Sequence, residues 1–545
     1  MTAGSRIRRF GSLIGPRIGP RIGPRIGPRI APRIGPRIAP RIVPRIVPRI
    51  GPRIVRRIAP RIAPRIGRRI APRIAPRIAP RIHARIGAVL RTALCAAALP
   101  LLFGCMGPRP EPPAAAALTP PPAWRVEPGP SAPLERDWWR RYGDPVLAQL
   151  VERALANNAD LGVAAARVAE ARAQQRLAQA QLLPTLDATA TGGRSRSLNA
   201  LGRESISNSF EPQFQAAYEV DLFGRLADLS AAARAGTQAS EAAHDAAVLS
   251  VAAATARAYL TLRALDAQLA VVRQTLAARE DALRLARRRA DAGYTSQLEF
   301  AQARAEYEST AQAVPQAELA VARQENALLL LIGDPPSGEV SRGAALSALR
   351  PPPVPDGLPA DLLRRRPDIA QAEFQLAATD ANLSAARKAF LPQLHLSGSA
   401  GLLYASGVAN PVRIWSLGGS ILAPLFEGGR IEAGAQVATA QRDQAAFAYR
   451  RTALTAFREV NDNLAALRQL EAQVLHLGQQ RDALAAALRH ATNRYRAGYS
   501  PYLEQLDAQR GLLSAELNLI QAHADWLNAS VALYQAMGGG WTRAD

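Results

Sequence analysis

Long stretches with helical periodicity alternate with short segments of strand periodicity from about residue 146 onward. Along one of these stretches, apolar residues step by three and four positions, which is the spacing of a coiled-coil seam. The stretch is about 65 residues long, or on the order of 100 Å of helix. Because no globular interior is that long, the pattern predicts an extended helical hairpin. The residues of the seam are Leu262, Leu265, Leu269, Val272 and Leu276.

Segments with a period of two lie before each long helix. Between Phe214 and Leu222, apolar residues alternate with mostly polar ones, which is typical of a strand with one apolar face. Segments of about ten alternating residues suit a membrane barrel. No uninterrupted apolar run of about 18 residues occurs, so a membrane crossing is predicted only through such a barrel. The four predicted strands are at about 184–197, 209–222, 392–404 and 412–425.

The chain repeats the same order of elements twice, at an offset of about 205 residues. Leu-Pro, Gly-Arg and Ala-Gly-Tyr landmarks occur in the same order and at similar spacing in both halves. We therefore assign a first repeat to 136–345 and a second to 346–545. Each repeat is predicted to contain a first helix (147–181 or 360–388), two strands, the long helix and a returning helix of about 35 residues.

These elements define a mainly α fold with a membrane β-barrel. Four tilted strands cannot close a sheet without leaving edges that lipid does not tolerate. Closure therefore needs further chains, and three copies of four strands would supply a barrel of about 12. Three copies would thus form a trimeric 12-stranded β-barrel above an α-barrel of long coiled-coil hairpins, each copy being an internally duplicated chain.

The excess of positive charge belongs to one tract. The chain has 68 Lys and Arg residues against 44 Asp and Glu, but residues 1–91 hold 24 arginines and no acidic residue. The remaining chain is therefore neutral, which argues against a nucleic-acid binder. The tract cannot fold, because a Pro at nearly every fourth position removes helix hydrogen-bond donors and the arginines repel one another. It is interpreted as low-complexity, being either a disordered polybasic arm or a mis-annotated start.

An export signal follows the basic tract. Residues 85–104 combine a basic flank with an apolar stretch of signal-peptide length, and the segment ends in Leu-Phe-Gly before Cys105. This ending resembles a lipobox, which implies a lipoprotein signal peptide and acylation of Cys105. The other interpretation is an unmodified cysteine in an ordinary signal region. Residues 105–135 are rich in Pro and Ala and are predicted to be a lipid-anchored tether.

Six short motifs are spread over residues 105–545. They are Trp138-Trp139, Tyr142 to Pro145, Tyr218 to Arg225, Arg364 to Ile369, Pro424 to Arg430 and Gly538 to Trp541. With these motifs the chain resembles the TolC-like outer membrane efflux protein family, and within it the OprM and NodT type of RND efflux outer membrane lipoproteins.

The resemblance implies a homotrimer in the outer membrane of a Gram-negative bacterium, lipid-anchored and extending into the periplasm. Its implied function is the exit duct of a tripartite RND-type efflux pump, which conducts drugs or other small molecules passively. The implied partners are a periplasmic adaptor, an inner-membrane RND transporter and outer membrane lipid, with no nucleic acid. No cofactor is implied beyond the diacylglycerol and N-acyl lipid on Cys105.

The same resemblance implies a periplasmic aperture on the second returning helix. Leu503, Asp507 and Arg510 are spaced i, i+4 and i+7 and so share one face. Rings of these residues would narrow the tunnel, and pairs of Asp507 with Arg510 between chains would hold it closed. Without the family, the pair would be interpreted as a solvated ion pair on a helix surface. The first repeat has Gln302 and Ala305 in the equivalent places, so the two hairpins are predicted to differ in gating.

Two further groups of residues are candidates by resemblance. The hairpin tips at Gly293, Tyr294, Gly498 and Tyr499 are expected to contact the adaptor, although turn chemistry alone would also explain them. Tyr404 and Trp415 are candidates for the aromatic belt of the barrel, and the alternative for Trp415 is an ordinary strand residue.

Motifs for catalysis and metal binding are missing from the sequence. The six histidines show no paired metal-ligand spacing, and no P-loop, Rossmann glycine pattern or nucleophile elbow occurs. The chain is therefore predicted not to be an enzyme, and the energy for transport must come from a partner. Two alternative functions are a duct for type I protein secretion and a non-transport coiled-coil envelope lipoprotein. The alternating segments argue against the second alternative, because a pure spacer has no use for them.

Overall fold

The structure is a computed structural model that describes residues 108–127, 131–198 and 202–543. The predicted basic tract, the signal peptide and Cys105 lie outside the described residues. Within the described ranges the chain forms six strands, which are β1 (Ser131–Ala132), β2 (Thr185–Leu198), β3 (Glu204–Val220), β4 (Val354–Pro355), β5 (Gln393–Ala405) and β6 (Val412–Leu422). The α-helices of the same ranges are α1 (Pro145–Asn157), α2 (Ala159–Ala180), α3 (Arg225–Asp291), α4 (Gln297–Leu331), α5 (Pro359–Arg365), α6 (Pro367–Lys388), α7 (Arg430–Arg496) and α8 (Tyr502–Ala536).

Two helices of 67 residues, α3 and α7, form the long arms of the two repeats. Each turns back into a helix of 35 residues, α4 or α8, so the predicted long helical hairpins are confirmed. Alanine fills many contacts between helices, and Ala253, Ala256 and Ala453 are fully buried. Because alanine has no side chain beyond Cβ, the axes of neighbouring helices approach closely.

Among the described helices, α3 has the length and hydropathy of a membrane span. Half of its most apolar 18-residue window is buried inside the protein. Burial against other helices is what a core helix shows, and α3 packs against α1, α2, α4, α6 and α8. Its apolar composition is therefore explained by helix packing.

The first helix of each repeat is divided in two, so the prediction of single helices at 147–181 and 360–388 is wrong. In the first repeat the break falls at Asn158, whose side chain accepts a hydrogen bond of 2.9 Å from the backbone N–H of Asp160. This N-cap starts α2 afresh. In the second repeat α6 starts at Pro367, which favours extended backbone in the residue before it.

Strands β2, β3, β5 and β6 form one antiparallel sheet in that order, with β2 and β6 at its edges. The predicted set of four strands is thereby confirmed. Successive rows of cross-strand neighbours point to opposite faces. One row is apolar or glycine, and the next is polar. The first row is Leu186, Ala216, Gly398 and Leu417, and the second is Asp187, Gln215, Ser399 and Ser416.

The apolar face of this sheet is open to its surroundings. Phe214, Leu417 and Ile421 are all more exposed than buried. On β5 the apolar positions run from Leu394 to Tyr404, which corresponds to roughly 25 Å of height for a tilted strand. An exposed apolar band of this height, backed by a polar face, is the pattern of a membrane barrel wall.

The aromatic motif at 138–142 lies in the main hydrophobic core, between α1, α3 and α8. Trp138 is fully buried and stacks on Tyr534 with 5.4 Å between ring centroids. The adjacent Asp144 caps α1 and accepts hydrogen bonds from the Tyr259 hydroxyl at 2.7 Å and the Ala344 N–H at 3.0 Å. The motif therefore holds the first repeat, α8 and the connection between the repeats together.

Two other motifs meet beside this core. Arg366 is buried and pairs with Asp368 at 2.7 Å and with Glu459 at 2.8 Å. The glycine run after α8 packs against the same segment, since a Cβ on Gly538 would lie 1.9 Å from the carbonyl oxygen of Arg365. The glycine is therefore required by close backbone approach as well as by its positive φ of 95°.

Residues 108–127, which we name the strap, lie against the helices of the second repeat. Arg442 of α7 is only 2% exposed and donates hydrogen bonds of 3.0 Å to the carbonyl oxygens of Pro110 and the following residue. At the other end, the indole of Trp124 donates to the carbonyl oxygen of Gly357 at 2.8 Å. The described part of the predicted tether is therefore fixed to the helical body.

Candidate functional site

Both long hairpins end in the same kind of turn. Gly293 and Gly498 have left-handed backbone, with φ of 74° and 81°. The next residue in each tip, Tyr294 or Tyr499, donates its N–H to the carbonyl five residues earlier, at 2.8 and 2.9 Å. Both tyrosine side chains are at least 80% exposed. The two tips therefore present equivalent exposed phenol rings.

The three aperture candidates lie on α8, which begins just after the second tip. Leu503, Asp507 and Arg510 are all exposed, and their spacing puts them on one helix face. Leu503 has a counterpart at the equivalent position of the first tip, Leu298, which is also exposed. The leucine is therefore common to both tips, whereas the Asp and Arg belong to the second tip alone.

Within the described residues the partner of Arg510 is Glu306, a residue of α4. The Arg510 Nε lies 3.0 Å from Glu306 Oε1. The other carboxylate oxygen of Glu306 lies 3.0 Å from Nη1 of Arg279, a buried residue of α3. One carboxylate thus joins α3, α4 and α8. We name this group, Arg279, Glu306 and Arg510, the tip clamp.

The two arginines of the tip clamp are in different environments. Burial lowers the pKa of Arg279, against the attraction of Glu306. The hydrogen bond to Glu306 raises the pKa of Arg510. Arginine remains protonated in either case. Arg279 also donates to the Glu306 carbonyl oxygen at 3.0 Å and to the Thr310 hydroxyl, so its buried charge rests on contacts with α4.

A second contact joins the hairpins closer to the tips. The Tyr495 hydroxyl of α7 donates to the carboxylate of Glu299 on α4, and the Arg289 guanidinium lies 4.7 Å from the centre of the Tyr495 ring. Tyr502 packs against the same ring at 5.5 Å. Burial, assisted by Glu299, raises the pKa of Tyr495 to about 12. The phenol therefore remains a hydrogen-bond donor at neutral pH.

The two repeats differ at the position of the clamp. At the repeat offset of about 205 residues, Arg279 and Glu306 correspond to Leu484 and Gly511. A Cβ on Gly511 would lie 3.3 Å from Leu484 Cδ2, so these residues are also neighbours. The second hairpin therefore has an apolar contact where the first has a buried ion pair. Only the first hairpin offers a carboxylate at this position, and that carboxylate binds Arg510.

The sequence pattern indicates Arg510 but not its partner. Gln302 and Ala305 are the counterparts of Asp507 and Arg510 in the first repeat, and Glu306 is the residue after Ala305. A signal was available, because Arg279 and Glu306 lie in alanine-rich helices whose other buried residues are all uncharged. Charged side chains are rarely buried without an opposite charge, so two such residues on facing helices predict a pair.

The belt candidates lie on the apolar face of the sheet. Tyr404 of β5 is the cross-strand neighbour of Phe210, with 6.1 Å between ring centroids. Trp415 of β6 lies in the row of Ala400 and is 78% exposed. Both rings lie near the turn that joins β5 to β6, which is the end of the sheet farther from the helices. In the parts of the chain that the structure describes, no group of three His, Cys, Asp or Glu residues is arranged to hold a metal ion.

Comparison with known proteins gives a consistent result. The family described as "Outer membrane efflux protein" matches residues 150–334 and 358–539. The toluene efflux pump outer membrane protein TtgC of Pseudomonas putida is 36% identical over 447 residues, covering 79% of this chain and 91% of that protein. The pyoverdine export outer membrane protein OpmQ of the same species is 34% identical over 455 residues, covering 81% and 95%. The crystal structure of the Campylobacter jejuni CmeC outer membrane channel superposes with a TM-score of 0.75 at 26% identity, covering 81% of this chain and 96% of that one.

Proposed function

Because this chain belongs to the outer membrane efflux protein family, and is thus an outer membrane channel of RND-type efflux pumps and not an enzyme, we propose that it forms a homotrimeric exit duct. The observation that carries the proposal is the open sheet. Among the residues that the structure describes, no strand pairs with the outer edges of β2 and β6, and one face of their sheet is apolar. Lipid tolerates no such edges, so β6 of one chain must pair with β2 of the next. Three copies of four strands give about 12, enough for a water-filled channel.

The polar face of the sheet supports passive conduction. It carries Ser, Thr and Gln with a few acidic residues, among them Asp187, Glu211 and Glu219. In a closed barrel this face lines the lumen. Such a lining binds no single cargo tightly, so selection is left to the inner-membrane pump. The named cargoes of TtgC and OpmQ, toluene and pyoverdine, favour small organic molecules over a secreted polypeptide for this chain as well.

We further propose that the α-hairpins form the periplasmic tunnel and that Leu503, Asp507 and Arg510 narrow its end. All three project from α8 close to the tip, and Arg510 is held to the first hairpin through Glu306. In this arrangement the tip clamp fixes the second hairpin in its position. The exposed Tyr294 and Tyr499, with the glycines beside them, are proposed as the adaptor contact, because exposed aromatic rings are frequent at protein interfaces.

The lipid anchor is proposed at Cys105. The strap begins only three residues later, where the carbonyl oxygen of Pro108 accepts a hydrogen bond of 3.0 Å from Arg387, near the end of α6 that leads into β5. The described chain therefore starts near the membrane end of the helices, three residues after Cys105 in sequence. This location supports an N-terminal lipid in the inner leaflet of the outer membrane, with the signal peptide that ends at residue 104 removed in the course of export.

The decisive experiment is native mass spectrometry of the protein extracted from outer membranes. We expect three chains per particle, each beginning at a lipid-modified Cys105, and heat-resistant migration in gels. The matched variants are C105S, which should lose the lipid and keep the trimer, and C95S, which should change neither. A monomeric particle would contradict the duct, and an unmodified N-terminus upstream of residue 91 would contradict the anchor. Conduction is checked by deletion in the native host, which should raise susceptibility to amphiphilic drugs when the pump is expressed.

A further inference from the structure

Two arginines occupy the membrane-facing side of the sheet near its outer end. Arg194 on β2 shares its face with Leu186, and Arg413 on β6 shares its face with Trp415. Both side chains are exposed. Within the described ranges, neither has a hydrogen bond or an ion pair, whereas the nearby Arg196 is paired with Glu204. Two unpaired cations on a lipid-facing surface therefore need an explanation.

The height of the two arginines places them at the outer rim of the barrel. The ends of β2 and β6 that are connected to helices are the periplasmic ends, and the turn ends are the outer ones. Arg194 is nine residues from Thr185, the periplasmic end of β2. Arg413 is likewise nine residues from Leu422, the periplasmic end of β6. Nine residues correspond to roughly 23 Å of height in a tilted strand, which is about the thickness of the apolar band.

The two arginines lie on the two edge strands, which is where protomers would meet. This step rests on the proposed trimer, in which β6 of one chain pairs with β2 of the next. Neighbouring strands are about 4.8 Å apart, so side chains on one face at similar height are within reach of a common ligand. Two guanidinium groups so close repel each other unless an anion lies between them. Each of the three interfaces between protomers would carry one such pair.

We propose that Arg194 of one protomer and Arg413 of the next form a binding site for the phosphate of an outer-leaflet glycolipid. Guanidinium groups bind phosphate through paired, charge-assisted hydrogen bonds. The apolar rows below the arginines, which include Phe214 and Leu417, offer contact for the acyl chains of the same lipid. A free phosphate ion would gain nothing from these rows, so the combination favours a phosphorylated lipid.

The test uses the mature trimer in detergent and three probes: lipid A, dephosphorylated lipid A and inorganic phosphate. Native mass spectrometry counts the lipids bound to each particle. The wild type should bind up to three lipid A molecules, and R194Q/R413Q should bind them at least about 100-fold more weakly, because two charge-assisted contacts are lost at each protomer interface. The matched control is R176Q/R468Q, which removes the same charge from exposed helical arginines and should bind as the wild type does.

Several results would overturn the proposal. Equal binding by R194Q/R413Q and the wild type would show that the arginines do not hold the lipid. Equal binding of dephosphorylated lipid A would show that acyl contacts alone suffice. Competition by inorganic phosphate at the lipid concentration would indicate a simple anion site. The same spectra report the particle mass. A wild-type monomer would refute both the trimeric duct and the lipid site between protomers. A trimer whose lipid binding is unchanged in R194Q/R413Q would refute only the lipid site.

Discussion

Replacing Glu306 by Gln should loosen the first hairpin near its tip. The substitution keeps the size of the side chain and removes the carboxylate that faces Arg279. The side chains of this pair are only 5% and 11% exposed. Removing one partner of a buried ion pair costs about 3–5 kcal/mol, because the remaining charge is left without compensation. Arg279 keeps its contacts to the Thr310 hydroxyl and the Glu306 carbonyl, which puts the expected cost near the lower limit, at about 3 kcal/mol.

Two companion variants separate the buried pair from the exposed one. R510Q breaks a contact whose arginine side chain is 53% exposed, so it should cost only about 0.5 kcal/mol. R279L/E306A replaces the buried pair by apolar groups, which resembles the Leu484 and Gly511 contact of the second hairpin. Such replacements are often neutral. We therefore expect R279L/E306A to be close to the wild type in local stability, although the charges of both Arg279 and Glu306 are lost.

The assay is amide hydrogen exchange over residues 272–312 in the detergent-extracted protein. A cost of about 3 kcal/mol corresponds to exchange that is roughly 100-fold faster in E306Q, if exchange follows local opening. R510Q should change the rate about twofold. The reasoning would be refuted by E306Q exchanging like the wild type, or by R279L/E306A exchanging as fast as E306Q. Exchange over residues 225–250, far from the clamp, serves as the internal reference.

Three further predictions concern the barrel, the strap and the core. L417R, on the exposed apolar face, should cost about 2–4 kcal/mol and abolish heat-resistant trimers in gels, while the adjacent S416R on the polar face should leave them intact. R442L should release the strap and speed tryptic cleavage after Arg109 by roughly tenfold, whereas Q441L should not, as followed by release of the N-terminal peptide. His523 has its pKa lowered by burial, so the stability that it contributes is present above its unfolded pKa of about 6.5 and is lost as pH falls below that value. H523Q should therefore flatten the decrease in melting temperature between about pH 7.5 and pH 5, and an unchanged slope would contradict this assignment.

The elements of the fold were predictable because their signals are local. The seam from Leu262 to Leu276 and the alternation from Phe214 to Leu222 depend only on neighbouring residues, and the tip glycines mark where each hairpin turns. The division of the first helix was predictable in principle, since Asn158 followed by Asp160 is an N-cap pattern. It was missed because the helical periodicity of alanine-rich sequence continues across the break.

The partner of Arg510, one of the aperture candidates, was not predictable in the same way. Arg510 and Glu306 are 204 residues apart in sequence, and their contact depends on how α4 and α8 are brought together. The periodicity of one helix gives the face of a residue but not the helix that covers it. The duplication narrows the choice, because Arg279 and Glu306 are the positions at which the first repeat departs from the apolar pair of the second. Differences between aligned repeats are thus a better guide to this site than either repeat alone.

The arrangement of the clamp also bears on how an aperture could open. Moving the second hairpin away from the first breaks the contact of Arg510 with Glu306 and that of Tyr495 with Glu299. It also removes Arg289 from the Tyr495 ring and opens the small buried cluster of Ala286, Ala303, Tyr495, Tyr502 and Leu506. The first contact is exposed and worth at most about 1 kcal/mol, and the second is a single hydrogen bond to a charged acceptor, worth about 1.5–3 kcal/mol. The costly pair, Arg279 with Glu306, stays intact because both residues belong to the first hairpin. We therefore expect a barrier that a partner bound to the exposed tips can offset, since a preference of a few kcal/mol for one state is enough to shift its population.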